Sequence, residues 1–338
     1  MHRADARGRI GHHRHCAQAV NLVFIGTTKF GLRCLQAVGE AIGIQVVGIV
    51  TAPQTFPISY APDGVTNVLH ADVTAFAERN RIPVEQISHG MNDPALYTIV
   101  RSWRPDAFLV VGWYHMIPRR WRILAPAYGL HASLLPDYSG GAPLVWAMIN
   151  GESQTGITLF QMDDGVDSGP IAAQAVEPIH ERDTIATLYA RIEERGLDLL
   201  RQALPALAQG DLRLHPQDES HRRVMRQRSP EDGRIDWATD SRTIDRFIRA
   251  QTRPYPGAFS TLHGRPLTIW SSRPNNGFAT GEPGCVTKGP DGYRVSCAAG
   301  SITIEETTYD QRPYHGIDLA ELLGGGQQLG ARPRGLTN

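Results

Sequence analysis

The residues with the clearest capacity for chemistry are a histidine and an aspartate in the segment 129–169, GLHASLLPDYSGGAPLVWAMINGESQTGITLFQMDDGVDSG. His131 follows a short apolar strand, and Asp167 lies in a Gly-bracketed loop, DDGVDSG. Side chains at the carboxyl ends of strands in an α/β sheet lie where such folds build their sites. A histidine and an aspartate that meet there can form a proton-transfer pair. The residues alone also allow a structural alternative, in which His131 caps a loop and Asp167 bonds within its own turn.

The elements around this pair predict a parallel sheet with helices on its faces. Residues 20–26 (VNLVFIG) and 44–50 (IQVVGIV) are short apolar runs with a helical pattern between them, and 106–112 (DAFLVVG) is a further apolar strand. This alternation of strand and helix is typical of an α/β fold. Residues 52–70 contain Pro, Gly, Asp and Asn and are expected to form a long loop. Further helices are predicted over 71–80, 142–150 and 184–207, and further strands over 155–161 and 171–178.

The character of the sequence changes after residue 211. Residues 211–228 are polar and rich in Arg, and beyond Asp240 a helix precedes the short strands AFSTL, PLTIW, YRVSC and SITIEE. Short strands at regular spacing predict a small β-barrel. The predicted boundaries are a disordered leader over 1–19, a catalytic domain over 20–210, a linker over 211–221, a barrel domain over 222–330 and a loose tail over 331–338.

Composition narrows the class of protein. The chain has 338 residues and a formal net charge of +0, so no global field draws it to nucleic acid or membrane. No apolar run reaches the roughly 18 residues that a membrane span needs, and the first 20 residues lack the apolar core of a secretory signal. The four cysteines form no C-x-x-C pair and no cluster that suggests a metal. We therefore expect free thiols, a cytoplasmic location, no membrane association and no metal.

The segments that carry His131 and Asp167 resemble the folate-dependent formyltransferase family. HASLLP, then GGAP, then TGITLFQMDDGVDSGPI are similar to the signature of methionyl-tRNA formyltransferase, glycinamide ribonucleotide transformylase and the nucleotide-sugar N-formyltransferases. RRVMRQRSPEDGRIDW and IRAQTRPYPGAFSTL resemble the barrel domain of longer members, including the formyltransferase half of the bacterial lipid A aminoarabinose enzyme. The resemblance covers roughly residues 20–330. It implies a Rossmann-like N-terminal domain, an OB-like C-terminal barrel and 10-formyltetrahydrofolate as donor.

The resemblance also implies roles for single positions. His131 matches the family's catalytic histidine and Asp167 its catalytic aspartate, and the reaction is attack of a neutral amine on a formyl carbon through a tetrahedral oxyanion. We expect His131 to donate to the oxyanion while Asp167 orients the ring and helps relay the proton. The segment VVGWYHMIP (110–118) matches the stretch that holds the pterin ring, although plain core packing is the alternative for its aromatic residues. The positions predicted for folate are Val111, Gly112, Trp113, Met116, Ile117, Asp164, Gly165 and Val166, and those predicted for the acceptor are Ser133, Thr27 and Lys29.

Two departures from the family pattern leave the acceptor open. Gly129 stands where the family has an Asn that helps hold the formyl oxygen, and losing such a donor costs roughly 100-fold in rate if nothing replaces it. A backbone N–H, a water or the Ser133 hydroxyl could replace it. Ser139 and Gly141 stand where the aminoarabinose enzyme's pattern has two arginines. A different acyl acceptor, a weak catalyst and a folate-binding protein without catalysis all fit these departures.

Charge near the predicted site bears on the acceptor. Residues 52–70 contain no Lys or Arg, which argues against tRNA because phosphate contacts supply much of the affinity for nucleic acid. Four arginines at the domain junction argue the other way, or form a solvated basic turn. We expect a small-molecule amine, with a nucleotide-linked amino sugar first. The alternatives are methionyl-tRNA, an amine or hydroxylamine as in siderophore assembly, and hydrolysis that releases formate; a homodimer is also allowed. The arginines are Arg222, Arg223, Arg226 and Arg228.

Overall fold

The computed structural model describes residues 19–58, 61–275, 281–289 and 292–330. The predicted tail over 331–338 and all but the last residue of the predicted leader over 1–19 lie outside them. The described chain folds around an N-terminal sheet with a hydrophobic core on each face and a C-terminal sheet with a core of its own. None of its described helices combines the length and the apolar character that crossing a membrane requires.

A seven-stranded sheet forms the N-terminal unit. Its strands are β1 (Val20–Gly26), β2 (Ile44–Thr51), β5 (Val84–Gln86), β6 (Ala107–Val111), β7 (Ala127–His131), β9 (Gln154–Gln161) and β10 (Ile171–Pro178). Their order is β10–β9–β7–β6–β1–β2–β5. The strands from β5 to β7 pair in parallel, whereas β9 is antiparallel to both β7 and β10. The parallel part confirms the predicted strand–helix alternation.

Helices cover both faces of this sheet, so an interior strand such as β1 directs its side chains alternately into two cores. In β1, Leu22 and Phe24 belong to one core, and Val23 and Ile25 belong to the other. A strand buried on both faces is a continuous apolar run, which is the pattern of 20–26. The helices are α1 (Lys29–Gly39), α2 (Thr74–Asn80), α3 (Pro94–Ser102), α4 (Arg119–Leu124), α5 (Pro143–Asn150) and α6 (Ile185–Ala208).

Helix α6 begins where the sequence predicts it. Thr184 is the N-cap: its side chain accepts from the Thr187 N–H, and the Thr187 hydroxyl accepts in return from the Thr184 N–H. Such a reciprocal capping box satisfies two backbone donors that the first turn leaves free. The apolar side of the helix packs on the sheet through Leu188, Ile192 and Leu199. The helix predicted over 184–207 is therefore confirmed.

The prediction of a long loop over 52–70 is wrong. β3 (Thr55–Ile58) and β4 (Ala61–Thr66) pair as antiparallel strands. The Phe56 ring is buried, with its centroid 5.4 Å from that of Tyr114 and 5.5 Å from that of His115. The Pro and Gly content of these two strands predicts a loop, but packing against a loop distant in sequence stabilises them as strands.

An antiparallel sheet forms the C-terminal unit. Its strands are β12 (Ala258–Leu262), β13 (Arg265–Asn275), β14 (Val286–Gly289), β15 (Gly292–Ser296), β16 (Ser301–Tyr309) and β17 (Arg312–His315). Helix α7 (Ser241–Arg249) precedes β12, and helix α8 (Gly316–Leu323) follows β17. Strand β16 pairs with β13 on one edge and with β15 and β17 on the other. The predicted fold class, a parallel helix-covered sheet followed by a small β unit, is confirmed. The domain boundaries stay a prediction.

The chain between α6 and the C-terminal sheet returns to the first unit. Strand β11 (Val224–Met225) pairs in parallel with β8 (Ser139–Gly140), which lies in the loop after β7. Two short 3-10 turns, Glu219–His221 and Pro230–Gly233, flank β11. The first residues of the predicted barrel domain are thus bonded to the loop that follows His131.

Candidate active site

His131 and Asp167 come from the neighbouring strands β7 and β9, but not from the same edge of the sheet. His131 ends β7 and lies opposite Thr158, whereas the end of β9, Gln161, lies opposite Tyr128. Because the two strands are antiparallel, the loop after β9 must double back to bring Asp167 to His131. The sequence predicts that His131 and Asp167 lie close together. It does not predict that the loop after β9 starts at the opposite end of its strand and has to turn back.

The two side chains face each other at the surface of the sheet. The distance from His131 Nδ1 to Asp167 Oδ2 is 3.5 Å, and the side chains are 13% and 22% exposed. This distance exceeds that of a well-formed hydrogen bond, as is common for catalytic pairs without a bound substrate. The same Asp167 oxygen accepts from the Gly140 N–H at 2.8 Å. Asp167 has a φ of +51°, in the left-handed region that aspartate tolerates better than most residues.

Both ring nitrogens of His131 face acceptors. Nε2 lies 2.9 Å from the Tyr138 carbonyl oxygen, and Nδ1 faces the Asp167 carboxylate. A neutral imidazole has one N–H and satisfies one of these acceptors, whereas the protonated ring donates to both. The pair can therefore take up a proton without rearrangement. Donation to an oxyanion requires the ring to exchange one of these contacts.

The two segments predicted to hold folate lie side by side. Trp113 and Met162 pack on the core that contains Ile117. Arg122 donates to Asp164 at 2.6 Å, and this hydrogen bond lowers the pKa of the Asp164 carboxyl. Helix α4, which follows the loop after β6, is thus joined to the loop after β9.

The predicted folate residues differ in exposure. Val111 and Ile117 are buried in the core, so their side chains support the cleft rather than line it. Gly112 is at a φ of +61°, and a Cβ there would lie 2.0 Å from Thr28 Oγ1, so the turn needs glycine. Trp113 is half-buried with no hydrogen-bond partner for its indole N–H. The exposed members are Met116, Asp164, Gly165 and Val166.

The residues predicted for the acceptor are not brought together. Thr27 is fully buried and its hydroxyl donates to the Ala52 carbonyl at 3.1 Å. Ser133 is equally buried and donates to the Asp137 carbonyl at 2.7 Å. Only Lys29 of the three is exposed. Backbone carbonyls already engage both hydroxyls, so the geometry does not favour Ser133 as the replacement for the missing Asn side chain.

Side chains of a neighbouring element occupy the space beside Gly129, where the family has this Asn. A Cβ at Gly129 would lie 2.5 Å from Met162 Cε and 3.2 Å from Phe160 Cε1. The Met162 thioether thus occupies the space that a side chain at 129 would need. Gly129 and Met162 form a matched pair on β7 and the loop after β9.

A cleft of about 390 Å³ lies beside the predicted folate segment. It is lined by His89–Asn92 from the loop after β5 and by Tyr114–Met116 from the loop after β6. Burial lowers the pKa of His115, whose Nε2 has no hydrogen-bond partner. Neither His131 nor Asp167 lines this cleft. In the part of the chain that the structure describes, no group of three or more His, Cys, Asp or Glu could hold a metal ion.

Sequence reasoning assigned no role to several residues that shape this site. Tyr138 supplies the carbonyl that faces His131, Gly140 supplies an N–H to Asp167, and Arg122 holds Asp164. Of these residues, only Gly140 is of a type that itself indicates a structural requirement. Its φ is +93°, and a Cβ there would lie 2.4 Å from the Met225 carbonyl, so the position needs glycine. Arg122 acts on a residue 42 positions away, and Tyr138 acts through its backbone carbonyl, so no local pattern of side chains encodes either role.

Residues 20–204 match the formyl transferase family, and residues 228–320 match the formyl transferase C-terminal domain. Methionyl-tRNA formyltransferase of Geotalea uraniireducens (strain Rf4) is 35% identical over 292 residues, which cover 85% of this chain and 90% of that protein.

Solved structures with a similar fold have lower identity. HypX from Aquifex aeolicus, in complex with tetrahydrofolic acid, has a TM-score of 0.60 at 19% identity, covering 95% of this chain and 50% of HypX. The chain therefore spans about half the length of HypX. The N-formyltransferase of Helicobacter canadensis, with folinic acid and dTDP-3-aminofucose, has a TM-score of 0.59 at 17% identity, covering 86% of this chain and 100% of that protein.

Proposed function

This chain belongs to the formyltransferase family, and we propose that it transfers a formyl group from 10-formyltetrahydrofolate to the amine of a small molecule. Family membership confirms the resemblance of the motifs and makes the protein a formyl-transferring enzyme. The observation that carries the proposal is the His131–Asp167 pair, 3.5 Å apart and largely shielded from solvent. It lies within the residues that match the family.

The folate would be held between the loop after β6 and the loop after β9. The indole N–H of Trp113 has no hydrogen-bond partner, and the partly exposed Met162 and the exposed Met116 supply apolar side chains. A flat heterocycle with amide-like edges needs this combination of apolar faces and a few convergent polar groups. When bound, the folate supplies the activated formyl group. The relatives solved with tetrahydrofolic acid and folinic acid support this choice of donor.

His131 and Asp167 would manage charge and proton during attack of the amine. Asp167 is fixed by the Gly140 N–H and presents its carboxylate to the ring. Because Nδ1 faces the Asp167 carboxylate, His131 can take the proton that the amine loses and return it to the folate nitrogen as the bond from that nitrogen to the formyl carbon breaks. The ring can then exchange its contact with the Tyr138 carbonyl for one with the developing oxyanion.

Two observations favour a small amine over tRNA as acceptor. The hairpin region 52–70 carries no Lys or Arg. The arginines at the domain junction bond within the protein: Arg223 to Asp137, Arg226 to Asp232, and Arg228 to Gln251. Arginines paired in this way would have to exchange these partners for phosphates, the contacts that supply much of the affinity for nucleic acid. The amino sugar bound to the Helicobacter enzyme supports a nucleotide-linked amino sugar as the first candidate.

Methionyl-tRNA is the second candidate because one observation favours it. The relative at 35% identity is a methionyl-tRNA formyltransferase that this chain matches over 90% of its length.

We place the reaction in the cytoplasm, since Cys34, Cys285 and Cys297 are free thiols.

Incubation with 10-formyltetrahydrofolate and separate acceptors tests the proposal. The acceptors are a panel of nucleotide-linked amino sugars and methionyl initiator tRNA, and mass spectrometry detects the gain of one formyl group. We expect formylation of an amino sugar and none of the tRNA. Formylated tRNA would establish the second candidate, and formate release without any acceptor would identify a hydrolase. Tight folate binding without turnover on the whole panel would contradict catalysis.

A further inference from the structure

The chain from His215 to Met225, here called the connecting segment, lies along both loops of the candidate site. At its start, His215 and Ile171 exchange two backbone hydrogen bonds, each 2.8 Å long. At its end, the Ser139 N–H donates to the Arg223 carbonyl at 3.0 Å, and the Gly141 N–H donates to the Met225 carbonyl at 3.1 Å. The segment is therefore fixed to the chain after Asp167 and to the chain after His131.

Gln217 holds the backbone around Asp167. Its Nε2 donates to the Asp167 carbonyl at 2.8 Å and to the Gly169 carbonyl at 2.7 Å. Arg222 donates to the carbonyl of Val166, one residue earlier. Asp167 is in the left-handed region at a φ of +51°, a conformation that surrounding contacts must maintain. The connecting segment supplies these contacts and so sets the direction of the Asp167 side chain.

Arg223 holds the residue that faces His131. Its guanidinium makes a two-point contact with the Asp137 carboxylate and lies 4.4 Å from the centroid of the Tyr138 ring. The Tyr138 hydroxyl donates to Glu152 at 2.6 Å, and Arg223 donates to the same carboxylate at 3.0 Å. Burial and the bond to Glu152 raise the pKa of Tyr138 to about 12.

We propose that the connecting segment positions the catalytic pair, with Gln217 and Arg223 as its positioning residues. Each residue controls one partner: Gln217 the loop of Asp167, and Arg223 the Tyr138 carbonyl that faces His131 Nε2. Strand β8 lies between them, since its Gly140 N–H donates to Asp167 while its neighbours bond to β11. This inference rests on the proposed function, because it assigns the pair its catalytic part.

Two substitutions test the proposal without removing large side chains from a core. Gln217→Glu keeps shape but presents an acceptor to two carbonyls, and Arg223→Lys keeps charge but loses the planar two-point contact. Displacement of a catalytic group by about 1 Å can lower a rate by about 100-fold, so we expect kcat to fall 10- to 100-fold. The KM for folate is expected to change less than about threefold for Arg223→Lys, because Arg223 bonds to Asp137 and Glu152, which lie outside both loops predicted to hold folate. The matched controls are Gln202→Glu and Arg213→Lys, which alter exposed side chains and should keep kcat within about twofold.

The ring nitrogens of His131 give a readout that does not depend on turnover. Their ¹⁵N resonances, identified by their loss in His131→Gln, report which nitrogens carry protons. Gln217→Glu should move them in the direction that Asp167→Asn does, and the two controls should leave them in place. Unchanged ring signals together with kcat within twofold of wild type in both variants would overturn the proposal. If wild type transfers no formyl group, the proposed function fails, and the ring signals alone decide whether the segment positions the pair.

Discussion

At the scale of single residues, Gly129 and Met162 share one space. Because Met162 Cε lies 2.5 Å from where a Cβ at 129 would be, Gly129→Asn must displace the thioether. We expect this substitution to lower the free energy of unfolding by about 1–3 kcal/mol, as overpacking usually does. Adding Met162→Ala should recover part of the loss, with a coupling energy of about 1 kcal/mol in a double-mutant cycle measured by urea unfolding. Additive effects of the two changes would show that they do not compete.

Alanine substitutions at Gly112 and Gly90 distinguish the cost of a steric clash from the cost of backbone strain. Both have positive φ, +61° and +76°, but a Cβ at Gly90 would meet nothing within 4 Å, whereas one at Gly112 would lie 2.0 Å from Thr28 Oγ1. Thr28 caps α1 by accepting from the Gly31 N–H at 3.0 Å. Gly90→Ala should therefore cost about 1–2 kcal/mol in the free energy of unfolding, through left-handed strain alone. Gly112→Ala should cost at least about 1 kcal/mol more because the cap is displaced, and equal costs would contradict this reading.

The residues of the site differ in how far sequence could reveal them. His131 and Asp167 are recognisable because each lies in a compact motif after an apolar strand. Gln217 and Arg223 are not, since their partners lie 50 and 86 residues away and a polar linker gives no local pattern. Thr27 and Ser133 are buried hydroxyls near strand ends that donate to backbone carbonyls, and their contact with the acceptor stays a prediction.

At the scale of elements, Asp183 controls the start of α6. Burial disfavours its ionised form, but hydrogen bonds from Arg191, the His180 N–H and the Thr187 hydroxyl outweigh burial and lower its pKa from 3.8 to about 2. A carboxyl with a depressed pKa in the folded state stabilises the fold above its unfolded pKa, and that stabilisation is lost as the pH falls through the folded value. The stability difference between wild type and Asp183→Asn should therefore be full above pH 3.8 and shrink toward pH 2. Thermal unfolding at a series of pH values measures it, and a difference independent of pH would contradict the assignment.

Sequence periodicity predicted the elements whose pattern is local. The run in β1 and the apolar stripe of α6 are visible because burial repeats with the period of the element. The β3–β4 pairing escaped prediction because Pro57 and Gly64 interrupt it and Phe56 is buried by residues nearly 60 positions away, as the positions of Tyr114 and His115 show. The antiparallel direction of β9 escaped as well, since the residue pattern of a buried strand is the same in either orientation.

At the scale of the whole molecule, a buried ion-pair network joins the two units. Asp245 on α7 is 2% exposed and accepts from Arg249 at 2.8 Å and from Arg182 of the N-terminal unit at 3.0 Å. Arg249 also donates to the Asp183 carbonyl. Removing one partner of a buried pair commonly costs about 3–5 kcal/mol, because the other charge is left without compensation.

Asp245→Ala should therefore weaken the junction between the units. We expect calorimetry to show a lower midpoint and a transition that separates into two steps. The control is Glu231→Ala, which removes an exposed partner of Arg234 and should change the free energy of unfolding by less than about 1 kcal/mol. A single transition at the wild-type midpoint in Asp245→Ala would mean that other contacts hold the units together.

The rate of amine-dependent tetrahydrofolate release by Asp167→Asn tests the proposed role of the His131–Asp167 pair most directly. The amide keeps the shape of the side chain and can still accept from the Gly140 N–H, but it no longer presents a carboxylate to His131 Nδ1. We predict a fall in kcat of at least about 100-fold, the contribution of a positioned acid–base group, with folate affinity by equilibrium dialysis unchanged. Turnover within threefold of wild type would contradict a catalytic part for this pair.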